Sequence, residues 1–214
     1  AAGIPLNPYD PYYLCTPICG PTMVRTGTGF ITIAAGRDVV LGNQASVVYT
    51  AGMVNSAGMP IYDAESNFGG LAYPMNGGNV TVTAGRDVVG APSNELYTDW
   101  LWRAGTSAGS AYGYNPSAWS VNFGYFEQGF GALGGGDLTL TAGRNLLDVG
   151  ANVPSIGVPM GDGTPGGTTI QQYASGLLTV RAGHDIAGGS YLGMGIGGTI
   201  EAGGNLRDGS YNIV

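Results

Sequence analysis

Apolar residues recur at every second position in short bursts along this chain, and each burst ends in the same small-residue corner. Ile31-Thr-Ile-Ala-Ala-Gly-Arg-Asp38 returns as Val80-Thr-Val-Thr-Ala-Gly-Arg-Asp87 and as Leu138-Thr-Leu-Thr-Ala-Gly-Arg-Asn145. It comes back as Leu178-Thr-Val-Arg-Ala-Gly-His-Asp185 and, most altered, as Thr199-Ile-Glu-Ala-Gly-Gly-Asn205. A period of two predicts strands with one buried face, and no stretch sustains a helical period. The Ala-Gly pair predicts a sharp bend, and the Arg-Asp or Arg-Asn that follows predicts a polar turn.

The motif glycines Gly36, Gly85, Gly143, Gly183 and Gly203 lie 49, 58, 40 and 20 residues apart. The last two intervals read as two units and one unit of about 20 residues, the length of one solenoid turn. The longer intervals then conceal degenerate coils. Trp100-Leu-Trp-Arg-Ala-Gly105 and Val47-Val-Tyr-Thr-Ala-Gly52 are the candidates. The expectation is a right-handed parallel β-helix of roughly nine or ten coils, about 20 residues each, with loop insertions. Residues 1–23 read as a Pro/Tyr-rich leading segment, and residues 24–214 as the β-helix. An aromatic-rich excursion falls at about 96–130.

Composition refines this picture. Hydrophobic residues make up 43% of the 214, enough for a packed core and too many for a disordered chain. The 41 glycines show no collagen triplet and suit tight corners or close backbone approach. Basic residues are seven arginines without a lysine, and the net charge of −7 argues against nucleic acid as a partner. No apolar run reaches membrane-spanning length, so no membrane insertion is expected. No signal peptide is visible. Cys15 and Cys19 cannot make a zinc site with one histidine in the chain. A small-loop disulfide is favoured over two free thiols, and it would imply an oxidising, extracellular setting.

The repeated strand-Ala-Gly-Arg-Asp phrase resembles the filamentous-haemagglutinin-type exoproteins of Gram-negative bacteria, large β-helical products of two-partner secretion. The likeness is strongest at residues 24–42, 77–90 and 131–143 and extends over most of residues 24–208. It implies a segment of a long secreted or cell-surface stalk used in adhesion, aggregation, biofilm or presentation of a distal domain. The Asn-Pro-Asn-Gly-type motifs of that family's secretion domain are missing. So is Arg-Gly-Asp, because the repeat reads Gly-Arg-Asp.

Two sets of residues stand out as sites. Arg37, Arg86 and Arg144, followed by Asp38, Asp87 and Asn145, share one position of the coil, as do Asp185 and Asn205 later. They read as a structural turn motif, with the Asx side chain bonding local backbone and the arginine covering a neighbouring coil or pairing with a carboxylate. The insertions are expected to break any perfect ladder. The second set is the aromatic cluster Trp100, Trp102, Tyr112, Tyr114 and Trp119. These rings suit stacking on a surface glycan or contact with a host or bacterial protein, or else they seal the loop against a coil face.

No catalytic constellation, metal or cofactor is implied. The carboxylates fall singly along the chain, and His184 merely takes the repeat's arginine position. Gly134-Gly-Gly-Asp137 and Gly161-Asp-Gly-Thr164 lack the nonapeptide recurrence of calcium β-rolls. A carbohydrate-active β-helix enzyme is the rival class. The partners expected are neighbouring β-helix coils of the same or another copy. Neither end offers a clear capping helix, which leaves two readings: a longer chain, or copies stacked end to end into a fibre.

Overall fold

The computed structural model describes residues 22–54, 71–72, 74–106, 115–127, 129–161 and 168–214. A lone strand, β1 (Thr22–Thr26), precedes the first coil, so the solenoid is under way by Thr22. Coil one is β2 (Ile31–Ala35), β3 (Val39–Val40) and β4 (Ser46–Thr50), followed by short strands β5 (Met53–Val54), β6 (Leu71–Ala72) and β7 (Pro74–Met75). Coil two opens with β8 (Val80–Ala84) and β9 (Val88–Val89). It then departs through a helical turn, Tyr97–Trp100, and strands β10 (Leu101–Thr106) and β11 (Asn115–Asn122) before closing with β12 (Gly129–Ala132). Coil three is β13 (Leu138–Ala142), β14 (Leu146–Leu147) and β15 (Ala151–Val153), with a hairpin β16 (Ile156–Gly161) and β17 (Thr168–Ala174) after it. Coil four is β18 (Gly176–Ala182), β19 (Ile186–Ala187) and β20 (Ser190–Gly193). Coil five is β21 (Gly195–Ala202), β22 (Leu206–Arg207) and β23 (Ser210–Ile213).

The chain is a parallel β-helix with three faces. The motif strands stack as β2-β8-β13-β18-β21, the short strands after the corner as β3-β9-β14-β19-β22, and the third face as β1-β4-β12-β15-β20-β23. Register is kept through every insertion: Ile33, Val82, Leu140, Val180 and Ile200 form one row. Val82, Leu140 and Val180 are fully buried in it, so deleting any one would leave a cavity costing about 2–5 kcal/mol. Phe130 and Ala151 extend the same core from the third face, and Tyr191 stacks on Tyr211 at its far end, 5.2 Å apart and 7° from parallel.

The coil count differs from the sequence reading. Among the described residues there are five motif strands and hence five coils, rather than nine or ten. Residues 47–52 are not a degenerate coil; they lie largely in β4, the third face of coil one. Residues 100–105 are not one either. They run into β10, which pairs antiparallel with β11, itself antiparallel to β6. The 40-residue interval holds one coil plus the antiparallel β16–β17 hairpin rather than two coils. The two false coils at 47–52 and 100–105 share one cause: two-residue alternation followed by Ala-Gly occurs in any half-buried strand that ends in a tight bend.

All three insertions leave beside the third face, and described parts of the second and third fold back over it. Its outward row, Arg25, Tyr49, Gly131, Asn152, Leu192 and Asn212, is partly roofed by them. A second apolar cluster results, containing Val47, Tyr49, Trp100, Val121, Phe126 and Ile156, outside the solenoid's own core.

Candidate functional site

The corner is built by backbone crowding. A Cβ on Gly85 would stand 2.3 Å from the Gly36 carbonyl oxygen, one on Gly143 2.2 Å from that of Gly85, and one on Gly183 2.2 Å from that of Gly143. Gly203 repeats this against Gly183 at 2.4 Å. Glycine is required here by close approach of successive coils, because these corners lack the positive φ seen elsewhere. The gain is a continuous hydrogen-bonded seam: Arg86, Arg144 and His184 each donate their N–H to the preceding coil's carbonyl at 2.7 Å.

One residue further on, the Asx side chains make a ladder. Asp38 Oδ1 accepts the Asp87 N–H at 3.2 Å, Asp87 Oδ1 accepts the Asn145 N–H at 3.1 Å, and Asn145 Oδ1 accepts the Asp185 N–H at 3.1 Å. Asp185 Oδ1 closes the series on the Asn205 N–H at 2.8 Å. This corrects the expectation of local bonding: each side chain reaches the next coil. The insertions do not break the ladder, because none of them leaves between the motif strand and its turn.

Arg86 and Arg144 reach the opposite way, each gripping the carboxylate of the preceding coil. Arg86 forks onto Asp38 through Nε at 2.8 Å and Nη2 at 2.5 Å. Arg144 forks onto Asp87 through Nε at 2.9 Å and through Nη2. The Arg144 hydrogen bond is the largest influence on Asp87. It outweighs desolvation and, with the Asn145 N–H and the charges of Arg144 and Arg86, lowers the carboxyl to about 2. Coil three carries Asn145 in place of Asp, and coil four carries His184 in place of Arg. His184 Nδ1 turns instead to its own neighbour Asp185, 3.1 Å away. Arg37, with no described coil before it, contacts its own Asp38 at 3.3 Å and is largely exposed. The arrangement can hold coils together; it gathers no convergent acid–base or nucleophilic pair.

The aromatic excursion is a packed layer. Trp100 is 1% exposed and meets Phe126 edge-on at 5.2 Å. Phe126 meets Tyr49 edge-on at 5.6 Å, and Phe123 stacks on Tyr49 at 5.7 Å. Gly131 makes room for this: a Cβ there would strike Leu133 and Phe126 at 2.8–3.0 Å. Trp100 therefore presents no face to a glycan, and its ring is spent on sealing the third face. Trp119 is half-buried at the edge of the same cluster. Trp102 lies in β10, while Tyr112, Tyr114, Cys15 and Cys19 fall outside the described residues. Arg25 was missed by the sequence reading. Its guanidinium lies 5.7 Å from the Tyr49 ring centre and 5.3 Å from that of Phe123. No spacing rule relates residues 25, 49 and 123, so nothing in the sequence marked it.

No family model matches the chain, and no curated protein or solved structure matches it either.

Proposed function

We propose that this chain is a rigid stalk section of a secreted bacterial surface filament of the two-partner-secretion kind, serving adhesion, aggregation or presentation of a distal domain. The observation that carries the reading is the unbroken axial stack. Three parallel sheets, a glycine seam and an Asx ladder run through all the coils, with arginine forks on its first two rungs, while every insertion is diverted to one face. Hydrogen bonds directed along the long axis resist extension together, which is what a load-bearing spacer needs.

The rival reading is a fibre of identical copies stacked end to end. Both ends of the motif sheet, β2 and β21, have a single described neighbour, which suits that reading. The ladder disfavours it, because such a contact would set Arg37 on the neutral Asn205, whereas Arg86 and Arg144 sit on carboxylates.

The test is immunogold labelling of intact source cells with antibody to this segment, combined with adhesion and aggregation assays on a strain lacking it. Surface label along filaments and reduced adhesion are expected. Label appearing only after lysis, with adhesion unchanged, would overturn the proposal. Concentration-dependent growth of the isolated chain into fibres would favour the rival.

A further inference from the structure

At the leading end of the solenoid the third face extends one strand further than the other two. There β1 covers β4, whereas β2 and β3, each the end strand of its sheet, have no described strand before them. The first and second faces therefore end in a step one strand deep beside β1. Core positions that are sealed in later coils are open at this step. Ile33 and Val39 are half-buried, while Val82 and Val88, their equivalents in coil two, are fully buried. Phe30 and Val40 are exposed beside them.

The corner at the step presents the donor half of a coil-to-coil joint without its acceptors. In coils two to five the corner glycine N–H is taken by the preceding coil's alanine carbonyl at 2.9–3.0 Å, and the next N–H by a second carbonyl of that coil at 2.6–2.7 Å. The third N–H of the run is taken by the preceding Asx side chain at 2.8–3.2 Å. In coil one the same three groups, the N–H of Gly36, Arg37 and Asp38, have no acceptor among the described residues. Arg37 holds the posture of Arg86: its Nε lies 3.3 Å from its own Asp38, as that of Arg86 lies 3.4 Å from Asp87. Arg86 also sets Nη2 on the preceding carboxylate, and the largely exposed Arg37 has no described carboxylate there.

Gly36 points the same way. Gly85, Gly143, Gly183 and Gly203 must be glycine because a Cβ would strike the preceding coil's carbonyl oxygen at 2.2–2.4 Å. A Cβ on Gly36 meets nothing within 4 Å, and its φ is not left-handed, so no described contact within the chain requires glycine there. A strand laid into the step at the ordinary coil spacing would require it.

We infer that this step docks an extended segment of another chain that reads Ala-Gly-X-Asp and adds to β2 and β3 as a parallel strand. Strand addition supplies the main-chain hydrogen bonds, and the carboxylate of the incoming Asp meets the Arg37 guanidinium and the Asp38 N–H. The joint continues the one already made between successive coils, and charge selects the partner: Arg86 and Arg144, the arginines at the equivalent position, both sit on aspartates. A second copy of this chain offers no such match, since its far end carries the neutral Asn205. Residues 1–21 contain no Ala-Gly-X-Asp phrase and carry five prolines, each lacking a ladder donor. The inference rests on the solenoid and is independent of the stalk reading.

Fluorescence anisotropy tests it at low salt with the 214-residue chain and a labelled, end-blocked peptide of residues 78–90, Gly78-Asn-Val-Thr-Val-Thr-Ala-Gly-Arg-Asp-Val-Val-Gly90. Saturable binding is expected. The peptide bearing Asp87→Asn should bind on the order of tenfold more weakly. Arg37→Gln in the chain should lose the same factor for the parent peptide and nothing for the Asn peptide. Gly36→Ala in the chain should abolish binding with an unchanged melting temperature, because the added Cβ meets only the incoming strand. Arg181→Gln, a cation three strands away in the same sheet, should leave affinity unchanged. Failure to bind, equal affinity for the Asn peptide, or an Arg37→Gln loss shared by both peptides would each overturn the inference. So would growth of the chain into fibres without peptide, which would make a second copy the occupant.

Discussion

Arg144 grips the carboxylate of Asp87 from the next coil, although 57 residues separate them in the chain. The fork is two-pronged, and the same carboxylate also accepts the Asn145 N–H and side-chain amide, at 3.1 and 3.2 Å. Bidentate guanidinium–carboxylate pairs with added backbone donors are the strong kind of surface-edge ion pair. This one joins coils across the longest insertion.

Asp87 therefore makes stability pH-dependent. Its native carboxyl is held at about 2, below its ordinary value of 3.8, so it stabilises the fold fully above that value. The contribution fades as pH falls from about 4 towards 2. Asp87→Asn keeps the acceptor for the Asn145 N–H and loses the charge. Urea unfolding should show it less stable than the parent at pH 7 by on the order of 2 kcal/mol, with the two converging near pH 2. A constant difference across that range would contradict the assignment.

Two identical motif glycines should behave oppositely. Gly36→Ala meets nothing within 4 Å, whereas Gly143→Ala places a Cβ 2.2 Å from the Gly85 carbonyl oxygen. The first should change the unfolding free energy by less than about 0.5 kcal/mol, while the second forces neighbouring coils apart and costs several times that. Thermal melts of the two variants side by side decide it.

The neutral rung at coils three and four can be rebuilt. Asn145→Asp and His184→Arg together recreate the pattern of the first two rungs and should add up to about 1 kcal/mol, while neither alone does. A double-mutant cycle with no coupling would mean that the arginine's partner is not the preceding coil's carboxylate.

Trp100→Ala should separate the roof from the solenoid. Losing a fully buried indole costs about 3–5 kcal/mol. The loss falls on the second apolar cluster, which shares no buried member with the solenoid core. Hydrogen exchange should accelerate in β10 and β11 while β13 and β18 stay protected. Uniform acceleration would show instead that the two cores unfold as one.

Tyr191→Phe removes a buried hydroxyl that has no partner and keeps the ring on Tyr211. The expected result is a gain of about 1 kcal/mol in denaturant unfolding. A loss of similar size would reveal that the hydroxyl is satisfied in solution.

The sequence alone determined the period, the bend and the identity of equivalent positions. Strand alternation, a corner glycine and an Asx turn are local demands on backbone geometry, and local demands repeat as letters. That is why Gly85, Gly143, Gly183 and Gly203 could be aligned with one another before any coordinate was known. It could not separate a coil from an insertion, since Trp100-Leu-Trp-Arg-Ala-Gly105 satisfies the same local rules yet pairs antiparallel in the roof. Tertiary structure decided what depends on which corner each insertion leaves by. Because all three leave beside the third face, the Asx ladder survives intervals of 49, 58 and 40 residues. For the same reason Trp100 is buried as a seal. Contacts of that kind are set by the stacking of coils, a long-range property for which no spacing in the chain provides a signal.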